Sequence, residues 1–242
     1  MRIAVVSDVH SNLPALQAVL ASIGSVDALW QLGDVVGYGP DPDAVALLLR
    51  EAGAAGVRGN HDAAVLGDVS IEDFNDAARR AVEWTRAQVS PHARAYLAAL
   101  PQILVPEGLD FTLVHGSPRD PIWEYLLTAR DARENFRAFS TRFCLIGHSH
   151  VPVVFRERRG RIEALAIDPG SRLELGDGRA FLNPGSVGQP RDGDPRASYL
   201  VLDTEAGQAT WHRVRYDIGA TQTKMLELGL PRSLAERLSY GM

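Results

Sequence analysis

Apolar residues fall in short runs in the first third of the chain, and the runs alternate with segments of helical periodicity. Residues 2–7, RIAVVS, read as a buried strand. NLPALQAVLASIG follows as a helix: Asn12 is placed to cap it, Pro14 sits in its first turn, and Leu13, Leu16, Leu20 and Ile23 share one face before Gly24. DALWQLGD is the next strand, DPDAVALLLREAG the next helix, and AGVRGNHD holds a third short strand. This strand–helix–strand–helix–strand order predicts a parallel sheet with helices on its faces.

The rhythm then changes. Residues 68–99 are charged and mostly helical in pattern, suiting a cap or outer layer at about 66–100. A strand returns at LDFTLVHG, a helix is expected over about 129–139, and RFCLIGHSH is another apolar strand with a polar end. From 152 to 216 short strands and turns alternate, with a hairpin tip at 159–160, predicting an antiparallel half built from hairpins. Residues 218–239 read as helix. The expected fold is α/β (α+β): one domain over 1–242, with two β-sheets sandwiched between helices.

Composition narrows this only a little. Of 242 residues, 45% are apolar and 23% charged, which is ordinary for a folded domain. The formal net charge of −5 argues against non-specific nucleic-acid binding. Cys144 is the one cysteine, so no intrachain disulfide can form. The N-terminal apolar run soon meets Asp8 and His10, unlike a signal peptide, and no segment approaches the ~20 apolar residues of a membrane span. A soluble, cytoplasmic protein is expected.

Candidate chemistry gathers where strands end. FCLIGHSHVP places His148 and His150 after an apolar run broken by Gly147. Such a pair invites a metal but also occurs on surface turns. Four other predicted strands finish similarly: at Asp8 and His10, at Asp34, at Asn60, His61 and Asp62, and at His115. Each alone has an ordinary reading as turn, helix cap or core histidine, and Asn60 in particular suits a helix cap. Together they converge, because in open α/β sheets sites form beyond the carboxyl ends of the strands. His92 and His212 lie outside the set and read as surface or structural residues.

The ordered set Asp8-x-His10, Gly33-Asp34, Gly59-Asn60-His61-Asp62, His115 and Gly147-His148-x-His150 resembles the calcineurin-like metallophosphoesterases over residues 3 to about 190. DVHSNLPAL, GDVVGYGPDP, HGSP and NPGSVGQPR are similar, more narrowly, to the small prokaryotic phosphodiesterase and diadenosine-tetraphosphatase-like branch. Two positions depart from the family pattern, which often has Glu where Asp62 stands and Gly where Ser11 stands. The resemblance implies a four-layer αββα sandwich with two mixed sheets. It also implies a dinuclear centre. Asp8, His10 and His150 would hold one metal, Asn60, His115 and His148 the other, and Asp34 would bridge both. His61 would face the substrate as the catalytic residue.

On that reading the chain is a metal-dependent phosphoesterase. A bridging hydroxide would attack a phosphodiester, phosphomonoester or nucleotide phosphoanhydride. Oxygen and nitrogen ligands without thiolate suit two divalent ions drawn from Mn, Fe, Zn, Co or Ni. A small phosphorylated substrate is expected, a nucleotide among the candidates, with neither membrane nor nucleic acid as partner. The alternatives are a family nuclease or a non-catalytic metal-binding scaffold. Arg119, Trp123 and Tyr125 are candidates to line the entrance, the two aromatic residues equally as loop anchors. Ser186 and Arg191 sit in the turn-rich NPGSVGQPR, which is expected beside the metal loops.

Overall fold

A computed structural model describes residues 1–242. The elements run β1 (Arg2–Val6), α1 (Leu13–Ile23), β2 (Ala28–Gln31), α2 (Pro42–Glu51), β3 (Ala55–Gly56), α3 (Asn60–Leu66), α4 (Asp76–Gln88), α5 (Pro91–Ala99), β4 (Ile103–Leu104) and β5 (Phe111–Val114). They continue with α6 (Ala129–Asn135), β6 (Phe143–Leu145), β7 (Val153–Arg158), β8 (Arg161–Ala166), β9 (Arg172–Glu174), β10 (Ala180–Asn183), β11 (Ala197–Asp203), β12 (Gln208–Val214), α7 (Ile218–Glu227) and α8 (Arg232–Glu236). No helix is long and apolar enough to cross a membrane.

Two six-stranded sheets form, in the orders β3-β2-β1-β11-β12-β9 and β4-β5-β6-β10-β7-β8. Strand alternation shows how they stack. In β1, Ile3 and Val5 enter a core lying between the two sheets, while Ala4 and Val6 enter a larger core beneath α1, α2, α4, α5, α7 and α8. In β6, Phe143 and Leu145 enter the same inter-sheet core, and Cys144 with Ile146 turns to a third core against Phe136 at the end of α6. Every strand with both faces buried must be apolar on both, which is why these strands read as unbroken runs. The result is the expected αββα order of layers.

The parallel β1, β2 and β3 agree with the sequence reading. The second half does not form a separate antiparallel unit. β11 lies antiparallel beside β1, so the β11–β12 hairpin extends the first sheet, whereas β10 runs parallel to β6 in the second. The β7–β8 hairpin turns at Arg159 and Gly160, both with positive φ, as a two-residue turn requires. Helix is interrupted in the C-terminal segment: α7 stops at Glu227, Gly229 takes φ 73°, and Pro231 precedes α8. α6 ends at Asn135, four residues short of the expected limit, where the Asn135 amide turns to the Asp131 carbonyl and the Glu124 carboxylate.

Candidate metal centre

The carboxyl ends of β1, β2 and β3 in one sheet and of β5 and β6 in the other meet at a common rim. Every residue the sequence assigned to the metal centre, and His61 with them, lies there. Asp8, His10, Asp34, His115 and His150 are at most 1% exposed, and Asn60, His61 and His148 at most 4%. The ligating atoms of Asp8, His10, Asp34 and His150 lie within 4.8 Å of one another, and so do those of Asp34, His115 and His148. Asp34 belongs to both groups: its Oδ2 is 3.5 Å from His10 Nε2 and 3.4 Å from His115 Nε2. Asn60 Oδ1 is 3.0 Å from His115 Nε2 and so joins the second group.

Hydrogen bonds on the far side of each ring fix which nitrogen faces inward. His10 Nδ1 meets the Val36 carbonyl at 3.2 Å, His115 Nδ1 the Leu32 carbonyl at 2.8 Å, and His150 Nδ1 the Gln189 carbonyl at 2.6 Å. A carbonyl only accepts, so each Nδ1 carries the proton and each Nε2 presents a bare lone pair. Two of those lone pairs converge, with His10 Nε2 and His150 Nε2 3.1 Å apart, and the third, on His115 Nε2, points at His148 Nδ1, 3.0 Å away. Asp8 is prepared alike. Its Oδ2 accepts from Ser7 Oγ at 2.6 Å and from the His148 amide at 3.2 Å, while its buried Oδ1 has no partner. Acceptors facing acceptors in a dry site repel one another unless a cation lies among them. The donor set therefore fits divalent metal.

The electrostatics agree. Burial, with Asp62 and Asp8 nearby, pushes the Asp34 carboxyl well above its ordinary range. Burial also favours the protonated form of Asp8, but His150 beside it outweighs this and holds the carboxyl below the usual range. Burial drives His10 and His148 well down, aided by His150 and His115 respectively. His150 falls to about 4, through burial and then Arg191. Burial, then Arg191, also lowers His61 well below its ordinary value, so the ring is neutral. The His61 amide donates to Asp34 Oδ1 at 2.9 Å, its Nδ1 has no partner, and its ring packs on Tyr38 with centroids 4.3 Å apart.

The local folding that holds this site is strained. Asp8, His10, Asp34, His148 and His150, with Ser11 and Tyr38, all have φ between 48° and 64°. Non-glycine residues in this region mark turns that the surroundings enforce. Glycine is needed where these turns touch: a Cβ on Gly147 would overlap Ser7 Oγ, and one on Gly59 would overlap Asp34 Oδ1. Asn60 is not the cap of α3. Gly59 occupies the cap position, and Asp62 accepts from the Gly59 amide and from the Val36 amide, both at 3.0 Å. That frees the Asn60 amide for the cluster.

A cavity of about 270 Å³ opens above the centre, lined by Asp34, Asn60, His61, His148, His150, Tyr38, Phe74, Trp123, Tyr125 and Arg191 among others. Trp123 and Tyr125 do line the entrance. Tyr125 stacks on His148 with ring centroids 3.7 Å apart, and Trp123 meets Phe74 edge-on at 5.4 Å. Arg119 does not. Its guanidinium is paired with Glu124 and Glu134 outside the cavity.

The NPGSVGQPR segment packs against the metal loops. Ser186 Oγ donates to the Asp8 carbonyl at 2.8 Å, so this hydroxyl braces the β1 turn. Asn183 was not singled out by sequence, although it closes a strand like the ligands do. Its amide donates to the Gly147 carbonyl at 2.8 Å and to Ser149 Oγ at 3.0 Å, pinning the loop that carries both histidines. Tyr38 was also missed, because a lone tyrosine in a glycine-rich loop carries no distinguishing pattern.

The family model for the calcineurin-like phosphoesterase superfamily domain matches residues 1–207. The uncharacterized protein MJ0912 of Methanocaldococcus jannaschii is 37% identical over 244 residues, covering 99% of this chain and 98% of that protein. Phosphodiesterase YfcE of Escherichia coli is 30% identical over 218 residues, covering 85% of this chain and 89% of its relative. The crystal structure of a metallophosphoesterase from Sphaerobacter thermophilus superposes with a TM-score of 0.92 at 48% identity, over 100% of this chain and 99% of that one.

Proposed function

Because the chain belongs to the calcineurin-like phosphoesterase superfamily and is a metallophosphoesterase, we propose that the buried cluster is a two-ion centre hydrolysing the phosphoester or phosphoanhydride bond of a small substrate. Asp8, His10 and His150 would hold one ion and Asn60, His115 and His148 the other, with Asp34 placed to serve both. The observation that carries this reading is the convergence of acceptor atoms, His10 Nε2 against His150 Nε2 at 3.1 Å, with Asp34 Oδ2 3.5 Å from His10 Nε2 and 3.4 Å from His115 Nε2. When bound, divalent ions supply Lewis acidity and bring the pKa of water towards neutrality.

The chain's own groups define the rest. The carbonyls of Val36, Leu32 and Gln189 hold three imidazoles in the tautomer that presents a lone pair. Ser7 and the His148 amide aim Asp8 by occupying its other oxygen. Asp8 and Asp34 offset half of the four positive charges that two divalent ions bring. The amide of Asn60 adds no negative charge, so a surplus remains for a phosphate anion. His61 lines the cavity with no ligand duty; its Nδ1 is buried against Gly37, which leaves Nε2 as the nitrogen to give a proton to the leaving oxygen. In the resting protein it is neutral; an anion beside it raises its proton affinity.

The aromatic mouth supports a nucleotide as substrate. Tyr125 lies flat over His148 and is 43% exposed, leaving ring surface on which a base can stack. A cavity of about 270 Å³ suits a small ligand. Turnover of bis-p-nitrophenyl phosphate, p-nitrophenyl phosphate, cyclic nucleotides and dinucleoside polyphosphates, with and without chelator, tests the proposal. Hydrolysis that stops on chelation and returns with added Mn supports it. Full activity in chelator, with metal shown to be removed, contradicts it.

A further inference from the structure

Arg191 is an unusual cation. It lines the cavity beside Asn60, His61 and His150, yet no carboxylate pairs with it. Its guanidinium reaches only neutral acceptors, Gln189 Oε1 at 3.0 Å, Tyr38 Oη at 3.4 Å and the Tyr125 hydroxyl. Its Nε is closed to solvent and has no partner. Other largely buried arginines have a counter-ion or a full set of acceptors: Arg213 pairs with Asp192, Arg58 pairs with Asp68 although its Nε is also unpartnered, and Arg179 donates to three backbone carbonyls. A part-buried charge without a counter-ion is costly, and beside a centre that already carries surplus positive charge it is more so.

The backbone makes this placement deliberate. The Gln189 carbonyl accepts from ligand His150 at 2.6 Å, and the Arg191 amide approaches the His150 carbonyl at 3.4 Å. The guanidinium also lies over the Tyr38 ring, 5.9 Å from its centroid, and that ring packs on His10. Arg191 is thus fixed to the ligand loops from two sides, with its charge uncompensated towards the cavity.

We propose that Arg191 is a substrate-binding residue whose guanidinium takes a non-bridging oxygen of the phosphoryl group and favours a dianionic phosphomonoester over a monoanionic diester. The inference rests on the phosphoesterase reading. A terminal phosphoryl group has three non-bridging oxygens and an internal diester two, so the terminal group retains an oxygen for a third cation. The extra positive charge also attracts a dianion more than a monoanion.

Calorimetry of inorganic phosphate binding to manganese-loaded protein needs no turnover. Arg191→Gln should keep its metal content and lose about 10- to 100-fold in phosphate affinity, the range for hydrogen bonds to charged groups. Arg191→Lys should recover part of that loss, which a merely structural role would not predict. In kcat/KM, Arg191→Gln should lose at least several-fold more on p-nitrophenyl phosphate than on bis-p-nitrophenyl phosphate. In the wild type, phosphate should protect Arg191 from phenylglyoxal, read by peptide mass spectrometry, so the test does not depend on the variants folding. Phosphate affinity within about threefold of wild type, equal losses on the two esters, or no protection would each overturn the assignment. A protein that bound phosphate through Arg191 but hydrolysed nothing would contradict the phosphoesterase reading and leave this one standing.

Discussion

His61 and Asn60 are neighbours at the start of α3 whose side chains serve different ends: Asn60 Oδ1 joins the ligand cluster, and His61 packs on Tyr38 and faces the cavity. His61→Ala should leave metal content near normal and lower kcat by about 10²–10⁴-fold, the usual range for general acid catalysis. The loss should shrink when the leaving group is p-nitrophenolate, which needs little protonation. Steady-state rates across leaving groups check this; departure of an ion in His61→Ala would contradict it. Gly147 makes a different demand. A methyl there overlaps Ser7 Oγ, which orients Asp8. Gly147→Ala should therefore weaken metal binding by about 10–100-fold, as changes to groups supporting metal ligands do, with the affinity read by titration. The residues that gather in the buried cluster were legible in the sequence because each follows an apolar strand. Arg191 and Tyr38 were not assigned there, since both lie in irregular loops where no period points a side chain. Arg119 was misplaced for a related reason: only the fold brings Glu134 to it.

At the scale of elements, the site is a set of strand-to-loop turns held in left-handed backbone. Ser11 stands in one of them, with φ 54° and a buried hydroxyl that has no partner. A non-glycine residue there costs about 1–2 kcal/mol, and an unsatisfied buried hydroxyl about 1–3 kcal/mol. Glycine removes both and adds about 0.4–1 kcal/mol of unfolded-chain entropy. Ser11→Gly should therefore stabilise the protein by about 1 kcal/mol or more without changing activity. Denaturant melts read this, and a destabilised variant would refute the strain argument. Strands with an apolar run were recognisable, β1 and β6 above all, because burial on both faces leaves a continuous signature. β4 and β9 were not, being short edge strands of two and three residues with partly exposed side chains. The return of β11 to the first sheet was also invisible, because pairing partners depend on long-range packing that local pattern does not encode.

Across the whole molecule, two sheets lend their strand ends to one rim, so the buried polar cluster is also a liability of the fold. Burial, then Arg191, holds His150 at about 4 against an ordinary 6.5, and His10, His61 and His148 shift the same way. Below about pH 6.5 the unfolded chain takes up protons that the native state refuses, so native stability falls as pH falls towards 4. His150 alone accounts for about 3 kcal/mol of that loss. Asp34 and Asp62, whose carboxyls are raised by burial, act in the opposite direction, but four histidines outnumber them. Metal-free protein should thus denature more easily at pH 4.5 than at pH 7, measured by guanidinium midpoints; an unchanged midpoint would contradict the assignment of neutral imidazoles. Added divalent metal should raise the midpoint most at pH 7, where ligands and protons compete least. If one carboxylate joins two ion sites, elemental analysis of metal-loaded, dialysed wild type beside Asp34→Asn will show it. The predicted result is about two divalent ions per wild-type chain and depletion of both in the variant, whereas fewer than one ion in the wild type, or two retained without the Asp34 charge, would contradict it.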